Sequence, residues 1–322
     1  MSSYHPPLRP TPANAWEAVR AHVIPAPPSQ RGTHGTGSAL AFPLSADVLS
    51  ALVQAALDED QAQHDVSTLA TVPEGLQVRG AIMARRDGVI AGGAFAEMAF
   101  RQLDPGVVVR TDAVDGTAVR AGSIVMHVSG RARALLSAER VALNFMQHLS
   151  GIATLTAQFV ARIEGTSAQI LDTRKTLPGW RALEKYAVRA GGGVNHRMDL
   201  AHAVLIKDNH LAAIGGNVAA AVARARAVAA VGTPVQIECD TLDQVDLALD
   251  AGADSILLDN MSREQLRDAV ARCRGRAVTE ASGGVSLTTV REIAETGVDR
   301  ISIGALTHSA PALDLALDFE DL

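Results

Sequence analysis

The chain has 322 residues, 48% of them hydrophobic, and a formal net charge of −6. It can bury a large core divided into two domains, and its acidic balance excludes a broadly basic nucleic-acid surface. No run approaches the roughly 18 to 20 consecutive apolar residues of a membrane helix, and the N-terminus lacks a charged region leading into an apolar core, so no membrane association and a cytoplasmic location are expected. The two cysteines, Cys239 and Cys273, are neither a metal-binding pair nor a disulfide framework and read as structural thiols.

Residues 1–40 are dense in proline and glycine (PPLRPTPANA, IPAPPSQRG, THGTGS) and are expected to form a flexible extension. Ordered structure is expected from SADVLSALVQAALDED, a helix capped by Ser45 or Asp47 with Val48, Leu52 and Ala55 on one face and its end near Asp60. From Ser67 to about Leu135, short β-type runs alternate with turns, as in VRGAIMARRDGVIAGG, GVVVRTDAVDG and SIVMHVSG, which predicts a small, mostly antiparallel sheet. SAERVALNFMQHLSGIATLTAQFVARIEG then carries Val141, Phe145, Leu149 and Ile152 at helical spacing, predicting one long connecting helix broken near Gly151. Beyond it, AQILDTRK, AVLIKDNH, PVQIECD, SILLDN, AVTEAS and RISIGALT are β-branched runs separated by helical segments such as TLDQVDLALDAG and SLTTVREIAETG. These strands lack polar alternation, so both faces should be buried, and with no dinucleotide fingerprint after the first strand a barrel is expected over a doubly wound sheet.

The strand ends carry the chemistry. In order they bring Arg174 and Lys175, then Lys207, Asp208 and Asn209, then Glu238 and Asp240, Asp259 and Asn260, Ser282-Gly283-Gly284, and Gly304. In a barrel these share one mouth, the face where barrel enzymes place their chemistry. A cationic cluster of Arg174, Lys175, His196, Arg197 and Lys207 on an acidic chain points to a compact, multiply charged ligand; the bland alternative is solvated surface charge. The Gly283-Gly284 turn, read as opening the helix at SLTTVREI, can bind phosphate through backbone N–H groups, or simply be a tight turn. Glu238 and Asp259 can hold ribose hydroxyls, coordinate Mg²⁺ directly or through water, stabilise positive charge at an anomeric carbon, or form salt bridges with neighbouring lysines.

The runs ERVALNFMQHLSGIAT, LDTRKTLPGWRALEKYAVRAGGGVNHRMDLAHAVLIKDNH, LLDNMS, EASGGVS and ISIGALTHSAPALDLAL together resemble the quinolinate phosphoribosyltransferases, over about residues 45–320. The resemblance implies an α/β fold: a small N-terminal α/β sandwich domain at 41–145, completed by 308–322, and an irregular, TIM-like α/β barrel catalytic domain at 146–307. It implies Mg²⁺-dependent reaction of quinolinate with phosphoribosyl pyrophosphate, giving nicotinate mononucleotide, pyrophosphate and carbon dioxide in de novo NAD biosynthesis. It also implies a homodimer or an assembly of dimers in which Arg140 reaches the partner's pocket. By the same resemblance, Arg140, Arg174, His196, Arg197 and Lys207 bind the quinolinate carboxylates, and Lys175, with Lys207, contacts phosphoribosyl pyrophosphate. Glu238 and Asp259 serve the ribose and Mg²⁺ region, and Ser282, Gly283, Gly284 and Gly304 bind the 5-phosphate. Lys175, Lys207, Glu238 and Asp259 are thus the catalytic set. The chain departs from the family pattern at His202, where Asp is frequent, and in the loose turn QAQHDVST. Two rival readings keep the fold: a barrel aldolase using Lys207 as a Schiff-base nucleophile, and a homologue without this reaction, either associated with molybdenum transport or a non-catalytic binding protein.

Overall fold

A computed structural model describes residues 40–320. The flexible extension expected at 1–40 lies outside those residues except for its last position. Ser45 caps the first helix, Ala46–Glu59, its hydroxyl accepting from Val48 N at 3.4 Å. Apolar side chains at 48, 49, 52, 53, 56 and 57 offer two overlapping stripes at helical spacing, and the sequence alone does not choose between them. The buried stripe is Val48, Leu49, Val53 and Leu57; Ala55, expected on the inner face, is exposed. The stripe that turns inward meets a helix absent from the expectation, Gly93–Leu103. Its two-glycine entry conceals it in the sequence, but Asp115 accepts from Gly92 N at 2.9 Å and Gly93 N at 3.0 Å, satisfying donors at the helix start.

The first sheet is antiparallel, as expected, and is built from β1 (Gln77–Ala84), β3 (Val108–Thr111) and β5 (Ile124–Arg131), with a separate two-stranded pair of β2 (Gly88–Val89) and β4 (Ala118–Val119). The chain then enters one helix, Ala132–Arg162. It is continuous through Gly151 and not broken there. The glycine has a packing reason: a Cβ at 151 would lie 2.9 Å from Ala312 Cα and closer still to the Pro311 carbonyl oxygen, so the returning chain lies directly on the helix backbone.

Six parallel strands follow: β6 (Gln169–Leu171), β7 (Val204–Ile206), β8 (Val235–Cys239), β9 (Ser255–Asp259), β10 (Val278–Ser282) and β11 (Arg300–Ser302). Their order is β6-β11-β10-β9-β8-β7. From β7 to β11 each strand lies beside its predecessor, and β6 lies beside β11, which is the cyclic order of a barrel and lacks the reversal of a doubly wound sheet. The seam between β6 and β7 is spanned without strand pairing. Val194 bridges beside Leu171, and the Arg197 guanidinium donates to Ala203 O at 2.9 Å. The architecture is therefore a small α/β unit joined to a TIM-like α/β barrel open at one seam. The last strand, β12 (Leu315–Phe319), leaves the barrel and pairs antiparallel with β1, from Gly80↔Phe319 to Ala84↔Leu315.

Aromatic residues make up 3% of the chain, yet a column of them joins the two sheets' layers. Phe95 stacks on Phe145 of the long helix at 4.3 Å, and Phe145 on Trp180 at 5.1 Å; Phe42 packs edge-on against both Phe95 and Tyr186. Such contacts add about 0.5–1.5 kcal/mol each beyond the area they bury. Trp180 and Tyr186 belong to a further helical segment, Arg181–Ala190 and its entry, so the column places the loop that follows β6.

Gly151→Ala tests the packing of the long helix. In an exposed helix this change raises stability by about 1 kcal/mol. Here backbone atoms occupy the Cβ position, and a loss of roughly 1–3 kcal/mol is expected, read as a lowered melting temperature. A raised melting temperature would show that the 311–312 segment yields freely.

Candidate active site

The parallel register sets the sequence-predicted groups along one edge. Ser282 pairs with Asp259, the last residues of β10 and β9, and Glu238 lies near the end of β8. Lys207 follows β7 directly, and its Nζ reaches Glu238 Oε2 at 2.6 Å. Gly304 stands two residues beyond β11. A Cβ there would lie 2.9 Å from Lys175 Cδ and 3.1 Å from His308 Nε2, so the missing side chain is what lets Lys175 lie across this strand end. His308, which the sequence reading passed over, shares that corner; its only signal was its place four residues after Gly304. The hydroxyl of Thr307 donates to Lys175 O at 2.7 Å and ties the β6 loop to the same corner.

The glycine turn differs from expectation. Gly283 and Gly284 have φ values of +92° and +61° and form a left-handed pair, but the helix Val290–Ala294 begins six residues later. The turn is therefore not a helix N-terminus, and any anion it holds meets backbone N–H groups of the turn itself. Gly283 is needed for space as well, because a Cβ would lie 2.6 Å from Asn260 Cγ.

The cationic groups converge through buried acids beneath them. Asp172, fully buried just past β6, pairs with the equally buried Lys185 and accepts from Asn195 Nδ2 at 2.6 Å and from His196 N at 2.8 Å. Lys185 also donates to His196 O at 3.1 Å. Burial pushes the Asp172 carboxyl up and the Lys185 ammonium down, and their mutual attraction opposes both shifts. Glu184, also fully buried, accepts from Leu177 N at 3.2 Å and meets His148 Nε2 at 3.0 Å. Arg181 links the two loops, its guanidinium donating to Thr176 Oγ1 at 3.1 Å and to Met198 O at 3.1 Å.

These anchors bring Arg174 and Arg197 close together. The Arg197 guanidinium is held below its usual range, first by burial and then by the like charge of Arg174. Arg174 Nε is buried and has no hydrogen-bond partner among the described residues. Two crowded, partly desolvated guanidinium groups with an orphan donor are a site built for an anion. Across the mouth, burial and then the charges of Glu238 and Asp240 push the Asp259 carboxyl up, while Lys207 opposes this. Asp259 Oδ2 accepts from Asn260 Nδ2 at 2.7 Å, and Asn260 itself has φ +52°. Arg140 is not part of this cluster. It lies exposed on the long helix, and its one ion pair among the described residues is with the adjacent Glu139, at 4.0 Å. His202, the departure from the family pattern, accepts from Met198 N at 3.3 Å and closes the turn after Arg197.

The match to known proteins decides what this mouth belongs to. Models of the quinolinate phosphoribosyl transferase N-terminal and C-terminal domains match residues 65–150 and 152–318. The chain belongs to the quinolinate phosphoribosyltransferase family. It is 46% identical over 275 residues to the nicotinate-nucleotide pyrophosphorylase [carboxylating] of Mycobacterium leprae (strain TN), covering 83% of this chain and 95% of that protein. It is 41% identical over 290 residues to quinolinate phosphoribosyltransferase [decarboxylating] 1b of Nicotiana tabacum, covering 84% and 82% of the two chains. The solved nicotinate-nucleotide pyrophosphorylase of Francisella tularensis superimposes with a TM-score of 0.81 at 37% identity, over 87% of this chain and 98% of that one.

The buried Asp172–Lys185 pair is the most testable support of the mouth. Lys185→Met leaves a buried carboxylate without its cation, and a loss of about 3–5 kcal/mol is expected in urea unfolding. Adding Asp172→Leu should recover much of that stability but not the activity, because the 195–197 loop stays without its acceptor. A single variant within about 1 kcal/mol of the parent would place the pair among ordinary surface bridges.

Proposed function

We propose that the chain is a quinolinate phosphoribosyltransferase (decarboxylating): it joins quinolinate to phosphoribosyl pyrophosphate and yields nicotinate mononucleotide, pyrophosphate and carbon dioxide, in de novo NAD biosynthesis. The observation that carries the reading is the crowded Arg174–Arg197 pair with a buried, unpartnered Nε, facing an acidic edge across the same barrel mouth. A dicarboxylate fits the first side. A ribose with its phosphates fits the second.

In this reading the two arginines hold quinolinate's carboxylates, with Lys207 beside them and Arg140 supplied from a second copy of the chain. Lys175 and the Ser282-Gly283-Gly284 turn hold the phosphate groups, and Gly304 leaves room for Lys175 to do so. The quinolinate ring nitrogen attacks the anomeric carbon as the bond to pyrophosphate breaks, so the protein supplies alignment and electrostatics and no nucleophile of its own. Glu238 and Asp259 face the positive charge that develops on the sugar. The C–C bond to the carboxylate beside the nitrogen then breaks; its electron pair stays on the ring carbon, stabilised by the adjacent pyridinium, and a proton from solvent replaces the carbon dioxide.

A Mg²⁺ cofactor belongs to the proposal. Glu238 and Asp259 are hard oxygen donors, and among the described residues no group of three or more His, Cys, Asp or Glu side chains is arranged to hold a metal. A pair of carboxylates short of a full cage suits an ion that arrives on substrate phosphates. When bound, it would neutralise the departing pyrophosphate. Lys207 in a 2.6 Å ion pair is not the desolvated free amine that a Schiff-base aldolase needs, which counts against that rival. A homodimer in the cytoplasm completes the reading; no helix among the described residues is long and apolar enough to cross a membrane, and both cysteines are free, buried thiols.

Purified protein supplied with quinolinate, phosphoribosyl pyrophosphate and Mg²⁺ is expected to form nicotinate mononucleotide, followed by mass spectrometry, and nicotinate to be a poor substrate because it leaves buried cationic donors unpaired. Arg174→Ala should reduce turnover by at least about 100-fold while leaving the melting temperature nearly unchanged. Absence of product from folded, dimeric protein would move the reading to a homologue that binds without this reaction. Efficient use of nicotinate would overturn the account of the arginines.

A further inference from the structure

Arg174 and Lys175 are neighbours in the loop after β6, yet their backbones hang from different parts of the fold. The carbonyl of Arg174 accepts from Thr176 N at 3.0 Å and from the Arg181 guanidinium at 3.5 Å, within the segment that leads into the helix Arg181–Ala190. The carbonyl of Lys175 instead accepts from the hydroxyl of Thr307 at 2.7 Å, 132 positions away in the chain. Thr307 is 3% exposed and belongs to the single-turn helix Ala305–His308 that follows β11. A threonine on a helix ordinarily turns its hydroxyl back to a carbonyl three or four residues before it. That acceptor is present, Gly304 O, but at 3.3 Å. A hydroxyl has one proton to give, and the shorter distance assigns it chiefly to Lys175.

We propose that Thr307 is a positioning residue for Lys175: its buried hydroxyl clasps the β6 loop to the end of β11 and so fixes where the Lys175 ammonium stands over the phosphate-binding corner. This rests on the proposed reaction and assigns a role within its site. The Lys175 side chain is exposed, so its course is set by the backbone beneath it and by Gly304, across which it lies. That backbone is held on both sides, Lys175 N donating to Thr173 Oγ1 at 3.0 Å. Ile303 N donates to Leu171 O at 2.9 Å and extends the β6–β11 pairing; Lys175 and Thr307, each four residues further along, join the two chains again. Without the hydroxyl the Lys175 carbonyl loses its donor, and a displacement of about 1 Å at a ligand-contacting group costs up to about 100-fold. Arg174 is anchored separately and keeps its place. The two substrates should therefore respond differently to the loss of one hydroxyl.

Thr307→Val keeps the shape of the side chain and removes the hydroxyl, whereas Thr307→Ser keeps the hydroxyl. In titration calorimetry, Thr307→Val is expected to raise the dissociation constant for phosphoribosyl pyrophosphate with Mg²⁺ by about tenfold or more, with that for quinolinate within about twofold of the parent. Thr307→Ser should return the first value to within about threefold of the parent. In a Lys175→Ala background, Thr307→Val should cost at most about twofold further, because its effect passes through Lys175. Normal binding of phosphoribosyl pyrophosphate by Thr307→Val, equal weakening of both ligands, or full additivity with Lys175→Ala would overturn the proposal. So would a Thr307→Ser protein as weak as Thr307→Val. If Thr307→Val does not fold, Thr307→Ala, which also lacks the hydroxyl, takes its place in the same comparisons. Dissociation constants are read without turnover. A parent that binds both ligands but forms no nicotinate mononucleotide sinks the proposed reaction alone, and a parent that binds no phosphoribosyl pyrophosphate overturns both.

Discussion

The salt bridge between Asp172 and Lys185 is the constraint on which the mouth of the barrel depends. Neither group has access to water, and each alone would cost several kcal/mol to bury. Together they form a fixed point at the open seam, where no strand pairing is available to place the chain. Asn195, the backbone of His196 and, through them, Arg197 all hang from it. A hydrophobic pair of the same volume could fill that space, but it could not accept hydrogen bonds from the 195–197 loop. The ion pair therefore serves direction more than stability.

The same logic recurs around the rim. Glu184 holds the loop carrying Arg174 and Lys175, and Glu280 stands beneath His196. An acidic chain thus concentrates positive charge at one place by putting acids below the cations, inside the wall, and leaving the guanidinium faces free. The acids offset repulsion among the cations without occupying the positions a ligand would take. On the far side, Glu238, Asp240 and Asp259 crowd negative charge, with Lys207 bridging the two halves.

How much of this could be read from sequence follows from where each signal lives. The parallel strands were legible because short, uninterrupted β-branched runs between helical segments have few other uses, and the chemistry at their ends followed from the fold's own geometry. The helix Gly93–Leu103 was not legible, because its glycine entry resembles a turn and its cap, Asp115, comes 22 positions after Gly93. The buried face of Ala46–Glu59 was ambiguous, since apolar residues fill two stripes and only the partner decides between them. Gly151 reads as a helix breaker until the backbone lying on it is seen. Lys185 and Glu280 were passed over for a general reason: charged residues are ordinarily solvated, and nothing local marks the few whose partners lie across the fold. Most site residues stood at strand ends in the sequence, and the family resemblance added Arg140 and the individual roles, while the acids that aim them had to be found in three dimensions.

The return of β12 to β1 bears on how the chain is made. During synthesis β1 emerges early and soon gains β5, but its other edge stays open for more than two hundred residues, until Leu315–Phe319 leaves the ribosome. The barrel strands all appear within that interval. The nascent first sheet therefore carries an exposed row of backbone donors and acceptors throughout, the kind of edge that recruits other chains. Arg79 and Arg85, beside this edge, place positive charge where a stray strand would dock, and Arg85 later pairs with Asp318 of the rightful one at 2.6 Å. The ion pair that joins the first and last strands thus coincides with a guard against wrong partners while the right one is still being translated.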